Sequence, residues 1–231
     1  MHYGAPLGAV LALTWAFAGC KSDRPSTESA SASTSSAEAP KAAPASVTVK
    51  ANDFAFEAPA QIPAGAVTML LENHGKEIHQ AQLVKLEDGK TIQDLAAALK
   101  NPGPPPSWMR FVGGPNAAAP GREVDATSVL EPGQYAYLCL IPSPDGVIHA
   151  AKGMVRPFEV TTASSDAATT LPETDVTIKL VDYDFQTSKP LTPGKQRILV
   201  ENAGPQAHEL VLVKLAPGKK VEDFAGWPRV A

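Results

Sequence analysis

The chain has 231 residues, 22 of them Pro, and a formal net charge of -4. That length allows one large domain or two small ones, and the Pro content is about twice the usual share of roughly 5%. Without a Lys/Arg cluster or stripe the charge pattern does not suit a polyanion, so no nucleic-acid partner is expected.

In chain order, the first element is an apolar stretch over residues 5–18, too short to span a bilayer comfortably but suited to the core of an export signal. It ends in Phe17-Ala18-Gly19-Cys20, which resembles the lipobox of bacterial lipoproteins, with Phe17 where that family usually has Leu. The resemblance implies that residues 1–20 are a lipoprotein signal peptide and that Cys20 is the lipidation site; an ordinary secretory signal cleaved near Ala18 stays open. Residues 21–46 are Ser, Ala, Thr, Pro and Glu with almost no large apolar side chain, and such a segment cannot bury enough surface to fold. They read as a disordered tether that would hold a folded domain away from a membrane, on the extracytoplasmic side of a cell envelope.

Beyond the tether the chain repeats itself. A shift of about 129 residues aligns 47–94 with 176–223 without a gap, and roughly 18 of 48 positions are identical. The expected domains are a complete unit over 47–162, a polar linker over 163–173 and a partial second unit over 174–231. The second unit stops at Ala231, about halfway through; a truncated gene product is expected, the alternative being a half-domain that packs on the first unit or on another molecule.

Within the first unit the apolar period is mostly two. Val47-Val49, Phe54-Phe56, Val67-Met69-Leu71, Ala81-Leu83 or its out-of-phase neighbours, Val124-Ala126 and Tyr135-Tyr137-Cys139 read as short strands. Turn signals such as Asn73-His74-Gly75, Asp88-Gly89 and Pro132-Gly133 separate them. The spacing predicts an all-β antiparallel sandwich or barrel. One short helix interrupts it, announced by a capping-box-like Thr91-Ile92-Gln93-Asp94 and ended by Asn101-Pro102.

The chemistry gathers on the segment 139–154, which carries Cys139, His149 and Met154. Cys20 is consumed by lipid or lost with the signal, so Cys139 has no disulfide partner. A lone thiol in an oxidising compartment is a liability unless it is buried or bound to metal. Two His and one Cys in a plane with a weak axial Met describe a blue-copper site. Zinc fits less well, because a structural zinc site usually has several Cys and no Met.

Gly133, then Tyr135, Tyr137 and Cys139 at alternating positions, followed by His149 and Met154 with Gly153 before the Met, resembles the ligand strand and loop of the cupredoxins, the plastocyanin and azurin-like blue copper proteins. The spacing between Cys139 and His149 looks like that of the blue-copper domain of copper nitrite reductases. The resemblance implies a Greek-key cupredoxin-like β-sandwich and a first His ligand just after an Asn/Gly turn. His79 fits that place, and the repeat favours it, because His79 aligns with His208 whereas His74 aligns with Ala203. The implied copper ligands are therefore His79, Cys139, His149 and Met154, with Asn73 and Gln80 in supporting contacts; Gln80 stands where many of these proteins have Asn.

Leu138 and Leu140 flank Cys139, so the His-Cys-His neighbourhood of coupled copper clusters is missing, and no His-Glu-x-x-His, Gly-x-Ser-x-Gly or P-loop signature is present. The expectation is a non-enzymatic, lipid-anchored electron carrier with one mononuclear copper ion and a redox partner of unknown identity. A metal-free binding or scaffolding module of the envelope, or a copper storage or delivery protein, are the alternatives.

Overall fold

The structure is a computed structural model that describes residues 42–101 and 103–224. The signal, Cys20 and the tether up to residue 41 lie outside the described residues. Two sheets form the first unit. One has the order β2 (Ala55–Glu57), β1 (Ala45–Asn52), β4 (Gly65–Asn73), β7 (Glu123–Leu130). The other runs β3 (Gln61–Pro63), β9 (Val155–Thr161), β8 (Gly133–Leu138), β5 (Gln82–Leu86), β6 (Met109–Phe111).

Side chains alternate across a strand, and that period builds the core between the sheets. Val47, Val49 and Ala51 of β1, Val67, Met69 and Leu71 of β4, Leu83 of β5, Tyr135 and Tyr137 of β8 and Phe158 and Val160 of β9 belong to one buried cluster, which also contains Cys139 and Met154. The out-of-phase residues of the second sheet are buried as well. Val84, Ala136 and Leu138 meet Leu95 of helix α1 (Ile92–Ala98) and Met109 on the sheet's other face. Strands covered on both faces lose the clean polar alternation of a one-sided sheet, which is why β5 reads ambiguously from its sequence.

The helix starts as its cap predicts: the Asp94 amide donates to the Thr91 hydroxyl and the Thr91 amide donates to the Asp94 carboxylate. Two expectations need correction. The sandwich is not purely antiparallel, because β1 pairs with β4 and β3 with β9 in parallel; apolar period carries no strand direction. Phe54 is not in a strand but in the β1–β2 turn, with a left-handed φ of 64°. In addition, β3 and β6 were not expected, since a three-residue strand is too short to show a period.

The C-terminal region forms a smaller sheet of order β11 (Asp184–Thr187), β10 (Val176–Val181), β12 (Ile198–Asn202). Its pairings follow those of β2, β1 and β4: Lys50 opposes Glu57 as Lys179 opposes Gln186, and Val49 opposes Leu71 as Ile178 opposes Val200. The connecting segment packs rather than hangs free, because the Ala168 carbonyl accepts the Ala66 amide at 2.6 Å. Further on, the Asn116 side chain donates to the Leu210 carbonyl at 2.8 Å.

Candidate metal centre

Strand β8 carries the first donor. Its inward side chains, Tyr135 and Tyr137, set the face on which Cys139 follows, and Tyr137 stacks on Phe158 with ring centroids 4.5 Å apart. From Cys139 the chain makes a loop closed by its own main chain. The His149 amide donates to Ile141, the Ala150 amide to the Cys139 carbonyl, the Cys139 amide to the Met154 carbonyl and the Met154 amide to the His149 carbonyl. His149 opens a short 3-10 turn, His149–Lys152, and Gly153 ends it at a φ of 106° that glycine adopts without strain. Cys139, His149 and Met154 are thereby held at the base of one loop, each fully buried.

The other imidazole enters from the segment after β4. His79 exchanges main-chain hydrogen bonds with Ala118 at 3.1 and 2.8 Å. Asn73 ties the two segments, its side-chain amide donating to the Glu77 and Ala118 carbonyls and its oxygen accepting the Gly75 amide. Gln80 reaches the site through its main chain: its amide points at Cys139 Sγ at 3.5 Å. His74 lies at the surface, half exposed and paired with Glu72.

The donor atoms converge. His79 Nδ1 is 3.1 Å from His149 Nδ1, Cys139 Sγ is 3.2 Å from His149 Nδ1, and Sγ is 3.9 Å from His79 Nδ1. A triangle with those sides has its centre about 2.0 Å from every corner, close to the roughly 2.0–2.1 Å of a metal–imidazole bond. Both histidines and the cysteine are fully buried. Three buried donors around one point fit a single cation, and two nitrogens with one sulfur beside a buried Met fit copper. The donor set is that of a single type 1 copper ion. The sandwich is cupredoxin-like.

Three neighbours were not expected from the sequence. Asp53, in the β1–β2 turn, has Oδ1 3.1 Å from His79 Nε2, and Glu77 has Oε2 2.9 Å from His149 Nε2. Phe54 stands edge-on to His149, with centroids 5.3 Å apart at 79°, and Lys152 Nζ lies over the Phe54 ring 4.9 Å from its centroid. The repeat did carry a signal for Asp53, since Asp182 occupies the aligned place and its Oδ1 is 2.8 Å from His208 Nε2. Glu77 had none, because it aligns with Gln206.

Burial sets the protonation. Desolvation, which favours the neutral ring, holds the His79 imidazole below its usual pKa, and the hydrogen bond to Asp53, which favours the charged ring, works against it. Desolvation also pushes the Cys139 thiol up, with the amides of Gln80 and Ile141 working against it. A bound cation reverses that for the thiol, because a coordinating thiol is deprotonated outright.

No protein-family model matches the chain, and no curated protein matches it. Among solved structures it is similar to the dithionite-reduced auracyanin of Roseiflexus castenholzii, with 21% identity over 52% of this chain and 98% of that one and a TM-score of 0.37. Auracyanin A of Chloroflexus aurantiacus, described as a blue copper protein, is 20% identical over 52% of this chain and all of that one, with a TM-score of 0.35. Rusticyanin of Thiobacillus ferrooxidans gives 22% identity over 50% of this chain and 76% of that one, with a TM-score of 0.35. Among the described residues no helix is long and apolar enough to cross a membrane.

Proposed function

We propose that the protein is an extracytoplasmic electron carrier in which His79, Cys139 and His149 would hold one copper ion, with the buried thioether of Met154 as a further ligand. The observation that supports this best is the buried donor triangle. Copper held there supplies a one-electron couple between Cu(II) and Cu(I). The chain's own part is to keep the donors in place through that change, and main-chain bonds on both ligand segments do so: 149–154 is clamped to Cys139, and His79 is clamped to Ala118. The protein is not an enzyme on this reading, because Leu138 and Leu140 flank Cys139 and leave no adjacent imidazole for a second metal. Its electrons come from and go to a redox partner of unknown identity.

The remaining parts of the reading are a lipid anchor at Cys20 and a partial second cupredoxin-like unit over 174–231. The matching strand registers and the Asp182–His208 contact support the latter. Cu(II) added to the purified protein is expected to give one intense blue thiolate absorption at a 1:1 ratio, lost in Cys139→Ser. A colourless wild type, or a blue Cys139→Ser, would sink the electron-carrier reading. Partition of the wild type, but not of Cys20→Ala, into detergent phase tests the anchor.

A further inference from the structure

The two carboxylates beside the imidazoles lie outside the donor set, and their geometry decides which ring nitrogen is free. An ionised carboxylate can only accept hydrogen bonds. At 3.1 Å from Asp53 and 2.9 Å from Glu77, the Nε2 atoms of His79 and His149 are the ring nitrogens that must carry a proton. A neutral ring protonated at Nε2 has a bare lone pair at Nδ1. Both bare Nδ1 atoms then face each other at 3.1 Å in a buried site, with Cys139 Sγ beside them. Lone pairs turned on one another repel, and a cation at their centre removes the repulsion.

We infer that Asp53 and Glu77 are positioning residues, one for each imidazole, that fix the Nε2–H tautomer and the ring orientation and so prepare the metal site before the metal arrives. The inference rests on the copper reading for its purpose but not for its geometry. Asp53 has a second task. Its Oδ1 also accepts the main-chain amides of Lys76 at 2.8 Å and Glu77 at 3.3 Å, so it pins the segment that carries Glu77. Gly75 permits this closeness, since a Cβ there would lie 2.6 Å from His79 Nε2 and against Asp53 Oδ1. The strained φ at Phe54 belongs to the same turn and sets its ring against His149.

Both carboxylates are about two-thirds shielded, with side-chain exposures of 32% and 30%. Two negative charges hydrogen-bonded to the ligand rings stabilise the more positive oxidised ion, so they lower the reduction potential. Position and charge can be separated. In Glu77→Gln the amide oxygen can still accept from Nε2–H, but the charge is gone; in Glu77→Ala both are lost.

The first measurement is nitrogen NMR of the histidine rings in the metal-free protein at neutral pH. Both rings are expected as Nε2–H tautomers, with His149 losing its single tautomer in Glu77→Ala. Copper titration and voltammetry follow. Glu77→Ala is expected to lose about 10- to 100-fold in Cu(II) affinity, Glu77→Gln to lose less and to shift to a higher potential, and the control Glu72→Gln, whose carboxylate pairs with His74 and with neither ligand ring, to change neither. Nδ1–H rings in the wild type, or a Glu77→Ala variant with the tautomer and affinity of the wild type, would overturn the inference. Nε2–H rings in a wild type that binds no copper would support it and overturn the copper reading instead.

Discussion

The first unit and the C-terminal region carry the same Asp, Gly and His at the same places in the same local geometry, and among the described residues only the first unit brings a group of metal donors together. Asp53 meets His79 across Gly75, and Asp182 meets His208 across Gly204. What differs is the surrounding. In the first unit a second sheet closes over the strands, buries His79 and delivers the 139–154 segment; among the described residues of the C-terminal region His208 has no such cover and remains 23% exposed. An Asp–His pair is thus a feature of this turn, and the metal site arises where the opposite sheet adds Cys139 and His149 to it.

The largest effect expected follows from that difference. His79→Ala should abolish the blue copper absorption, whereas His208→Ala should leave its intensity and stoichiometry unchanged. A second copper equivalent lost with His208 would mean that the C-terminal region holds a site of its own. Stability should divide the same way. Leu71 and Val200 occupy matching places on β4 and β12, but Leu71 is fully buried and Val200 is 44% exposed. Leu71→Ala is expected to cost about 2–5 kcal/mol and Val200→Ala within about 0.5 kcal/mol, read from urea unfolding. Similar costs would show that Val200 is covered in solution.

Much of the site was legible because side-chain type and spacing carry it. Cys139, His149 and Met154 lie on one segment, and the repeat separated His79 from His74. Glu77 was not legible, since a Glu two residues before a His has no local meaning until the fold brings His149 to it from 72 positions away. Asp53 was legible in principle through Asp182, by the same comparison that singled out His79. In the fold, long strands such as β1 and β4 showed their period, β3 and β6 were too short to show one, and the parallel pairings depend on crossovers that a linear pattern does not encode.

The glycines give a smaller test. A Cβ at Gly75 would press on His79 and Asp53, both held by the packed site, so Gly75→Ala should destabilise by about 1–3 kcal/mol and weaken copper binding. At Gly204 the corresponding distances are 2.6 Å to Asp182 Oδ1 and 2.9 Å to His208 Nε2. Those side chains can swing outward, so Gly204→Ala should cost within about 0.5 kcal/mol. Equal losses would mean that the two turns are equally rigid.

The smallest expected effect concerns the α-helix that, among the described residues, only the first unit builds. Asp94 closes the capping box of α1, accepting the amide and hydroxyl of Thr91, while the matching Asp223 accepts the Lys220 amide at 2.9 Å with no hydroxyl in Thr91's place. The Thr91 main-chain hydrogen bond, then its side-chain bond, hold the Asp94 carboxyl below its usual value, with Lys90 adding to them. A carboxylate whose folded pKa is depressed binds protons more weakly in the native state. Its stabilisation is therefore present above the unfolded value of about 3.9 and disappears as the pH falls through the folded one. Asp94→Asn should accordingly lower the melting temperature at neutral pH, with the difference from wild type shrinking to nothing in acid below the folded pKa. At neutral pH Asp223→Asn should change the melting temperature less than Asp94→Asn does, because its turn is exposed and does not continue into an α-helix among the described residues. A difference for Asp94→Asn that persists unchanged into acid would place its effect in side-chain shape and helix propensity, not in the charge that caps the helix.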